Sequence, residues 1–377
     1  MTLSSGVSRI LIVGGGIGGM SLSIALRMAG AAVDLIDIDP SWKAVGAGLT
    51  LNGATLRALG HLGIVDKVIA EGHVHGGRRV FHSDGVLIRD IPAYRPDAND
   101  LQAMGGILRP VLHAILSRRV RQLGTAVRLG LTVDRLKQRP DGVEVTFSNG
   151  GTDRYDLVVG ADGIQSRVRS LIMPEIGTPG FTGQGCWRAI FSRPPEVETS
   201  WLFVDPNRKV GFNPVSDKQM YMFMLESAPG NPWQEPSSWS GTLADKMRDY
   251  GGLVRVLADQ VSDATSTNYR PLETLLVPAP WHRGRVVLIG DAVHATTPHA
   301  GYGAGLAIED GIVLTGQLAT CGSVEEALLA YVRRRFDRCR DVLEGSVGLG
   351  KLEMDGAPVV GQLAASAKLF EFTRQPF

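Results

Sequence analysis

The chain has 377 residues, more than one typical core holds, so two lobes or one large composite domain are expected. Hydrophobic residues make up 44% and charged residues 20%, an ordinary globular composition. The net charge of +1 gives no electrostatic case for nucleic acid or an anionic membrane surface.

Cys186, Cys321 and Cys339 are widely spaced and form no disulfide framework, CxxC pair or zinc-ligand pattern. A reducing cytoplasm is the expected home. No apolar run approaches a membrane span, and residues 10–13 are too short for a secretory leader. No internal repeat or low-complexity tract is present.

Arg9–Val13 reads as a short buried strand, 14–19 as a glycine turn, 20–29 as a helix and 32–38 as a second buried strand, a βαβ opening. Residues 108–123 are amphipathic and helical. Residues 142–148 and 155–160 read as strands, the second entering Gly160-Ala161-Asp162. The character changes after about Pro174, where short alternating runs such as 218–225 predict antiparallel strands. Residues 285–289 return to a buried-strand pattern, and 303–318 read as a helix. Ser323-Val324-Glu325-Glu326 is a capping box that opens a last long helix to about Glu344. The first lobe is therefore discontinuous. It comprises 1–174, with part of 70–105 lent to the other lobe, and resumes at 281–377 with C-terminal helices. Residues 175–280 form an inserted, mostly antiparallel-sheet lobe.

Gly14-Gly15-Gly16-Ile17-Gly18-Gly19 fits GxGxxG between a strand and a helix. Gly14, Gly16 and Gly19 let the backbone turn tightly and let a pyrophosphate approach the helix N-terminus, where free N–H groups favour negative charge. Asp37 lies at the end of the second strand, where a carboxylate accepts hydrogen bonds from ribose hydroxyls. The competing reading is a glycine-rich turn with an unrelated surface aspartate. These features point to a dinucleotide without separating FAD from NAD.

Two later stretches separate them. Val158-Val159-Gly160-Ala161-Asp162-Gly163-Ile164-Gln165-Ser166-Arg167-Val168-Arg169 resembles the GADGxxSxxR stretch of class A flavoprotein aromatic hydroxylases. Val286-Val287-Leu288-Ile289-Gly290-Asp291-Ala292-Val293-His294 resembles their GDAxH stretch. All three motifs stand in the family's order and spacing, and the resemblance runs from Arg9 to about Arg340. It implies an α/β fold: a discontinuous Rossmann-like FAD-binding domain with an inserted antiparallel-sheet substrate domain and a C-terminal helix. It implies that Asp291, after Gly290, holds the ribitol of FAD. Asp162 and Gly163 would lie by the flavin wall and the reductant's approach, and Arg109 beside the pyrophosphate and flavin.

Thr297-Pro298-His299-Ala300-Gly301-Tyr302-Gly303-Ala304-Gly305 leads into a helix. Helix-start N–H groups at Gly301, Gly303 and Ala304 would stabilise an anionic reduced flavin. The family pattern is Pro-x-x-Gly-Gln-Gly with a later Glu-Asp, matched by Glu309-Asp310; Tyr302 replaces the glutamine. The implied function is NAD(P)H- and O₂-dependent hydroxylation of a small aromatic or heteroaromatic compound through a flavin C4a-hydroperoxide. The protein would exclude water, hold the ring close and promote its ionisation. No second Rossmann motif exists for NADH or NADPH. In the family this reductant binds transiently in a groove.

Gly46-Ala47-Gly48-Leu49-Thr50-Leu51 resembles the family's segment along the flavin and pocket. Relatives acting on hydroxypyridine acids carry a histidine base where Thr50 stands, and threonine cannot serve so. The usual Pro-Asn that follows is Gly53-Ala54, with Asn52 as a replacement contact or a plain loop asparagine. Residues 209–215 and Tyr221 resemble the strand pair of urate-hydroxylase-like members. Lys209 would hold an anionic substrate group, against the reading of a solvated strand lysine. Tyr221 would face the substrate, against plain sheet packing. His299, after Pro298, is the expected base, since imidazole titrates near neutrality. Cys186, Trp187 and Arg188 line the pocket or serve as core and rim.

The alternatives are an FAD oxidase, reductase or halogenase, or a flavoprotein that binds a ligand without turnover. The reductase CxxxxC and the halogenase WxWxIP are absent. The expected partners are a small aromatic or N-heteroaromatic substrate and O₂, with no nucleic acid and no membrane insertion. A homodimer stays open.

Overall fold

The computed structural model describes residues 3–44, 46–92, 104–262 and 265–377. Its first sheet has six strands in the spatial order His282–Arg283, Val286–Leu288, Leu157–Gly160, Arg9–Val13, Ala32–Asp37, Ala126–Leu129. All pairings but the one at the His282–Arg283 edge are parallel. The central strand Arg9–Val13 is four-fifths buried in the pattern of a strand covered on both faces. The chain returns to this sheet after a long excursion, so the discontinuous α/β architecture is as expected.

The excursion builds a second sheet of seven strands. Its order is Asn268–Leu276, Gly180–Ser192, Gln219–Ser227, Arg208–Pro214, Ser200–Val204, Arg78–His82, Leu87–Ile91. The last two strands come from the early part of the chain, and Ser200–Val204 pairs with Arg78–His82 in parallel. The rest of the 70–105 stretch includes 93–103, which lie outside the described residues. Alternation along the strands splits the sheet into two faces. Met220, Met222 and Met224 pack with Trp187, Leu243, Met247 and Val254 into a core of their own, covered by the helices Trp239–Arg248 and Gly252–Ala258. Tyr221, Phe223 and Leu225 point to the other face.

Two helices differ in their bounds from expectation. The first helix is Ile17–Met28, not 20–29. Gly18 and Gly19 lie inside it because packing overrides their poor helix propensity: a Cβ on Gly19 would stand 1.9 Å from the Gly14 carbonyl oxygen. The long helix is Val324–Met354 and runs past Glu344. Glycines 345, 348 and 350 suggest a stop, yet two of them serve close contact. A Cβ on Gly345 would meet Leu369 at 2.8 Å, and one on Gly350 would meet Gln184 at 2.4 Å. A further helix, Val359–Glu371, then follows. Half of the capping box forms: Ser323 Oγ accepts the Glu326 N–H, while the Glu326 carboxylate accepts the N–H of Gly322 rather than that of Ser323. Among the described residues no helix is long and apolar enough to cross a membrane.

Candidate active site

The glycine turn sits where the first strand meets the first helix. Gly14 has φ +109°, and a Cβ there would lie 2.3 Å from the Ala161 carbonyl oxygen. Gly14 therefore serves the backbone crossing itself. Gly16 differs: no atom lies within 4 Å of where its Cβ would be, and it caps the helix without any side-chain bond. The first-turn N–H groups are thus uncapped, with no acid nearby in sequence to claim them. Asp37 Oδ2 accepts the Gly15 N–H at 2.6 Å, and Oδ1 accepts that of Asp39 at 2.8 Å.

Asp162 turns away from this opening. Its carboxylate accepts from Ser166 Oγ at 2.5 Å and Val168 N at 3.0 Å, at the start of the helix Arg167–Ile172. Burial pushes its pKa up, against these bonds. Gly163, at φ +80°, presents open backbone to the cavity instead. Gly290, at φ +61°, packs against Ala307 and donates its N–H to Asp310 at 2.8 Å. Asp291 follows and faces the cavity.

A buried ionic cluster pins this turn. His294 Nε2 lies 2.6 Å from Asp310 Oδ2, Arg335 Nε donates to Asp310 at 2.7 Å, and Arg335 Nη1 donates to Glu309 at 2.8 Å. Burial opposes ionisation of Asp310, but His294 and Arg335 hold its pKa at about 2. Tyr302 borders the cavity, yet its hydroxyl donates to Glu309 and accepts from Arg338 at 2.5 Å. The tyrosine thus joins the packing of the helix Gly303–Thr320 rather than replacing a glutamine at the flavin edge. Gly301 is left-handed at φ +57°, and the N-terminus at Gly303 and Ala304 has no side-chain cap.

These groups line one cavity of about 630 Å³, which also takes in the open face of the seven-stranded sheet. Cys186, Arg188, Lys209 and Tyr221 reach it. Trp187 does not: it lies in the opposite core and donates to Glu226 at 2.7 Å. Tyr221 packs on Gly48, and its hydroxyl lies 3.0 Å from Thr50 Oγ1. Asn213 reaches the same Thr50 and accepts from Ser200 at 2.7 Å and from His75 at 3.3 Å. Asn52 caps the helix Gly53–His61 by accepting the Thr55 N–H, which settles it as a capping residue.

Two pocket expectations need correction. Lys209 is not an uncommitted cation: its Nζ forms a buried ion pair with Glu353. His299 is not open to a substrate through a ring nitrogen. Its Nδ1 lies 2.8 Å from Thr297 Oγ1 and its Nε2 3.1 Å from Glu353 Oε2, with the side chain fully buried. Burial and then Lys209 push the His299 pKa down, and Glu353 opposes them. Burial alone would raise the Glu353 pKa, but Lys209 and His299 hold it at about 2. Glu353 went unnoticed in the sequence because it lies beyond the glycines that suggest a helix stop, and no motif spacing marks it.

The residues present fit FAD. The uncapped N-terminus at Gly16 suits the pyrophosphate, with Arg109 beside the same cavity. Asp291 lines the same cavity and would suit ribitol hydroxyls, and the open backbone at Gly301–Ala304 would suit a flat ring system. The fold and cleft together define an FAD-binding flavoprotein. A family model described as FAD binding domain matches residues 8–346, and the chain belongs to that family, among the class A FAD-dependent aromatic hydroxylases. It is 30% identical over 352 residues to the aurachin C monooxygenase/isomerase of Stigmatella aurantiaca, covering 91% of this chain and 89% of that protein. It is 31% identical over 347 residues to the 3-amino-4-hydroxybenzoate 2-monooxygenase of Streptomyces cremeus, covering 89% of this chain and 84% of that protein. The crystal structure of Klebsiella pneumoniae HpxO complexed with FAD and uric acid matches with a TM-score of 0.81 at 23% identity, covering 97% of this chain and 94% of that one. The protein is an FAD-dependent monooxygenase.

Proposed function

We propose that this monooxygenase hydroxylates a small aromatic or N-heteroaromatic compound, with O₂ as co-substrate and NADH or NADPH as transient reductant. The observation that carries the reading is the continuity of the cavity. One space runs from Gly16 and Asp291, past Pro298 and Gly301, to Tyr221 and Arg188 on the second sheet. A ring held by that sheet would lie against the flavin edge. Bound FAD supplies the reductive activation of O₂, and the chain supplies the enclosure.

The protein's own contributions are binding and proton handling. Phe223 and Leu225 give apolar walls for a ring, and Tyr221 offers a hydroxyl to a ring substituent. Arg188 brings positive charge to the same face and suits a substrate that ionises as its ring becomes nucleophilic. On this reading 1–174 and 281–377 form the FAD-binding domain, and 175–280, with part of 70–105, forms the substrate domain. Three free cysteines suit a cytoplasmic site.

The test is a screen of hydroxylated aromatic and N-heteroaromatic compounds for ligand-stimulated NAD(P)H consumption, read together with product mass under ¹⁸O₂. One labelled oxygen atom per product supports the reading. NAD(P)H consumption without any oxygenated product, or label arriving only from water, would overturn it in favour of an oxidase.

A further inference from the structure

A hydroxyl, an imidazole and a carboxylate stand in line at the wall of the cavity. Thr297 Oγ1 lies 2.8 Å from His299 Nδ1, and His299 Nε2 lies 3.1 Å from Glu353 Oε2. Gln184 Nε2 donates to the same Glu353 oxygen at 3.1 Å, and Lys209 pairs with the other. Glu353 comes from the long helix Val324–Met354, which presents Gly350 to the site. A Cβ on Gly350 would lie 3.2 Å from His299 Cε1 and 2.4 Å from Gln184 Oε1.

Hydrogen-bond chemistry sets the direction of this line. An ionised carboxylate only accepts, so His299 Nε2 must carry the hydrogen. Neutral imidazole then has one acceptor left, Nδ1, and Thr297 must donate its single hydrogen to it. The lone pairs of Thr297 Oγ1 remain for an incoming donor. Thr297 borders the cavity immediately before Pro298.

We propose that Glu353 is a positioning residue: it fixes His299 as the Nε2–H tautomer, so that Thr297 and His299 together accept the proton released by a substrate ring hydroxyl or ring N–H. This rests on the aromatic-hydroxylation reading above. In the step, the substrate O–H or N–H bond breaks and its hydrogen bonds to Thr297 Oγ1. The original Thr297 hydrogen passes to His299 Nδ1. The substrate is left as an anion and His299 as an imidazolium beside the Glu353 carboxylate. No oxidant or reductant is consumed. The arrangement follows the logic of a hydroxyl–imidazole–carboxylate triad, with the hydroxyl as proton carrier rather than nucleophile.

Two charged groups act on His299 from different elements: Glu353 from the long helix and Lys209 from the strand Arg208–Pro214. Thr297 and Gln184 are neutral. The base works in its neutral form, so activity falls as pH drops through the His299 pKa. Glu353→Gln removes the group that raises this pKa and should move the acid limb to lower pH. Lys209→Met removes the group that lowers it and should move the limb to higher pH. A purely structural role would not drive the two variants in opposite directions.

The experiment is ¹⁵N NMR of FAD-loaded protein labelled at histidine, with the His299 resonances assigned through His299→Gln. The expected wild-type result is the Nε2–H tautomer. Glu353→Gln should lose that preference and Glu353→Asp should restore it, with FAD retained in both. The His299 titration should shift down in Glu353→Gln and up in Lys209→Met. With a substrate from the aromatic screen, Glu353→Gln should lower kcat roughly 10- to 100-fold with a smaller change in KM. A wild-type Nδ1–H tautomer, or both variants shifting the same way, would overturn the proposal. If Glu353→Gln fails to fold, the wild-type tautomer and the Lys209→Met titration still decide it. Failure of every aromatic to turn over would count against the function alone, because the NMR readouts need no substrate.

Discussion

Gly48 lies against the ring of Tyr221, close enough that a Cβ on Gly48 would stand 2.4 Å from Tyr221 Cδ1. The glycine sits on the strand Gly48–Asn52 of a small three-stranded sheet, and the tyrosine on the second sheet. That strand and the second sheet touch at this point of the cavity wall, with no room for a methyl group.

Gly48→Ala should therefore push the tyrosine ring aside. Overpacking at such a contact costs about 1–3 kcal/mol, and the displaced hydroxyl would lose Thr50. Thermal melts should show that loss, FAD should stay bound, and KM for the aromatic substrate should rise. Tyr221→Phe is the milder control, removing one hydrogen bond of about 1 kcal/mol. Equal KM in all three proteins would place the substrate elsewhere.

Gly14 and Gly16 should respond differently to the same change. Gly14→Val meets the Ala161 backbone at a left-handed φ, so the fold itself should weaken, with a lower melting temperature even in apoprotein. At Gly16 no atom lies within 4 Å of where a Cβ would stand, and φ is an ordinary −74°. Gly16→Val should leave the apoprotein melt almost unchanged while blocking the pyrophosphate approach and abolishing the yellow colour. A yellow Gly16→Val protein would move the phosphate site.

Asp291→Ala should lose most bound FAD. A charge-assisted hydrogen bond to a ribitol hydroxyl is worth about 1.5–3 kcal/mol, or roughly 10- to 150-fold in affinity. Flavin fluorescence during dialysis reads this directly, and unchanged retention would remove Asp291 from the ribitol site.

Acid should unfold the protein through its buried carboxylates. Glu353 and Asp310 have folded pKa values of about 2, depressed below their ordinary range. Their contribution is complete above the unfolded values of about 4, and is lost as pH falls through about 2. Stability should therefore drop steeply between about pH 4.5 and pH 2. Glu353→Gln should flatten part of that slope. Lys209→Met leaves a buried carboxylate without its cation and should cost about 3–5 kcal/mol at neutral pH. Denaturant melts across this pH range check both.

The sequence carried the local features and missed the long-range ones. The strand Arg9–Val13, the Ser323 cap and the return at 286–288 follow from periodicity and turn chemistry within a few residues. The relation of Lys209 to Glu353 spans 144 positions and obeys no spacing rule. The long helix runs past Glu344 because Gly345 and Gly350, helix breakers in isolation, become a packing surface once Leu369 and Gln184 lie across them. Tyr302 was legible as a departure from a pattern, but its burial with Glu309 and Arg338 depended on a helix far along the chain. Pocket chemistry was the least legible part because both sheet faces alternate alike in sequence. Only the fold tells which face meets the cofactor.

That alternation has a practical consequence for altering this enzyme. Along Gln219–Ser227, Tyr221, Phe223 and Leu225 border the cavity, while Met220, Met222 and Met224 hold the methionine core. A combinatorial library confined to Tyr221, Phe223 and Leu225, with Cys186 and Arg188 opposite, would vary what the enzyme accepts. The methionine layer that holds the sheet to its helices would remain as it is. Selectivity and foldability occupy interleaved letters of the same strands and can be changed one at a time.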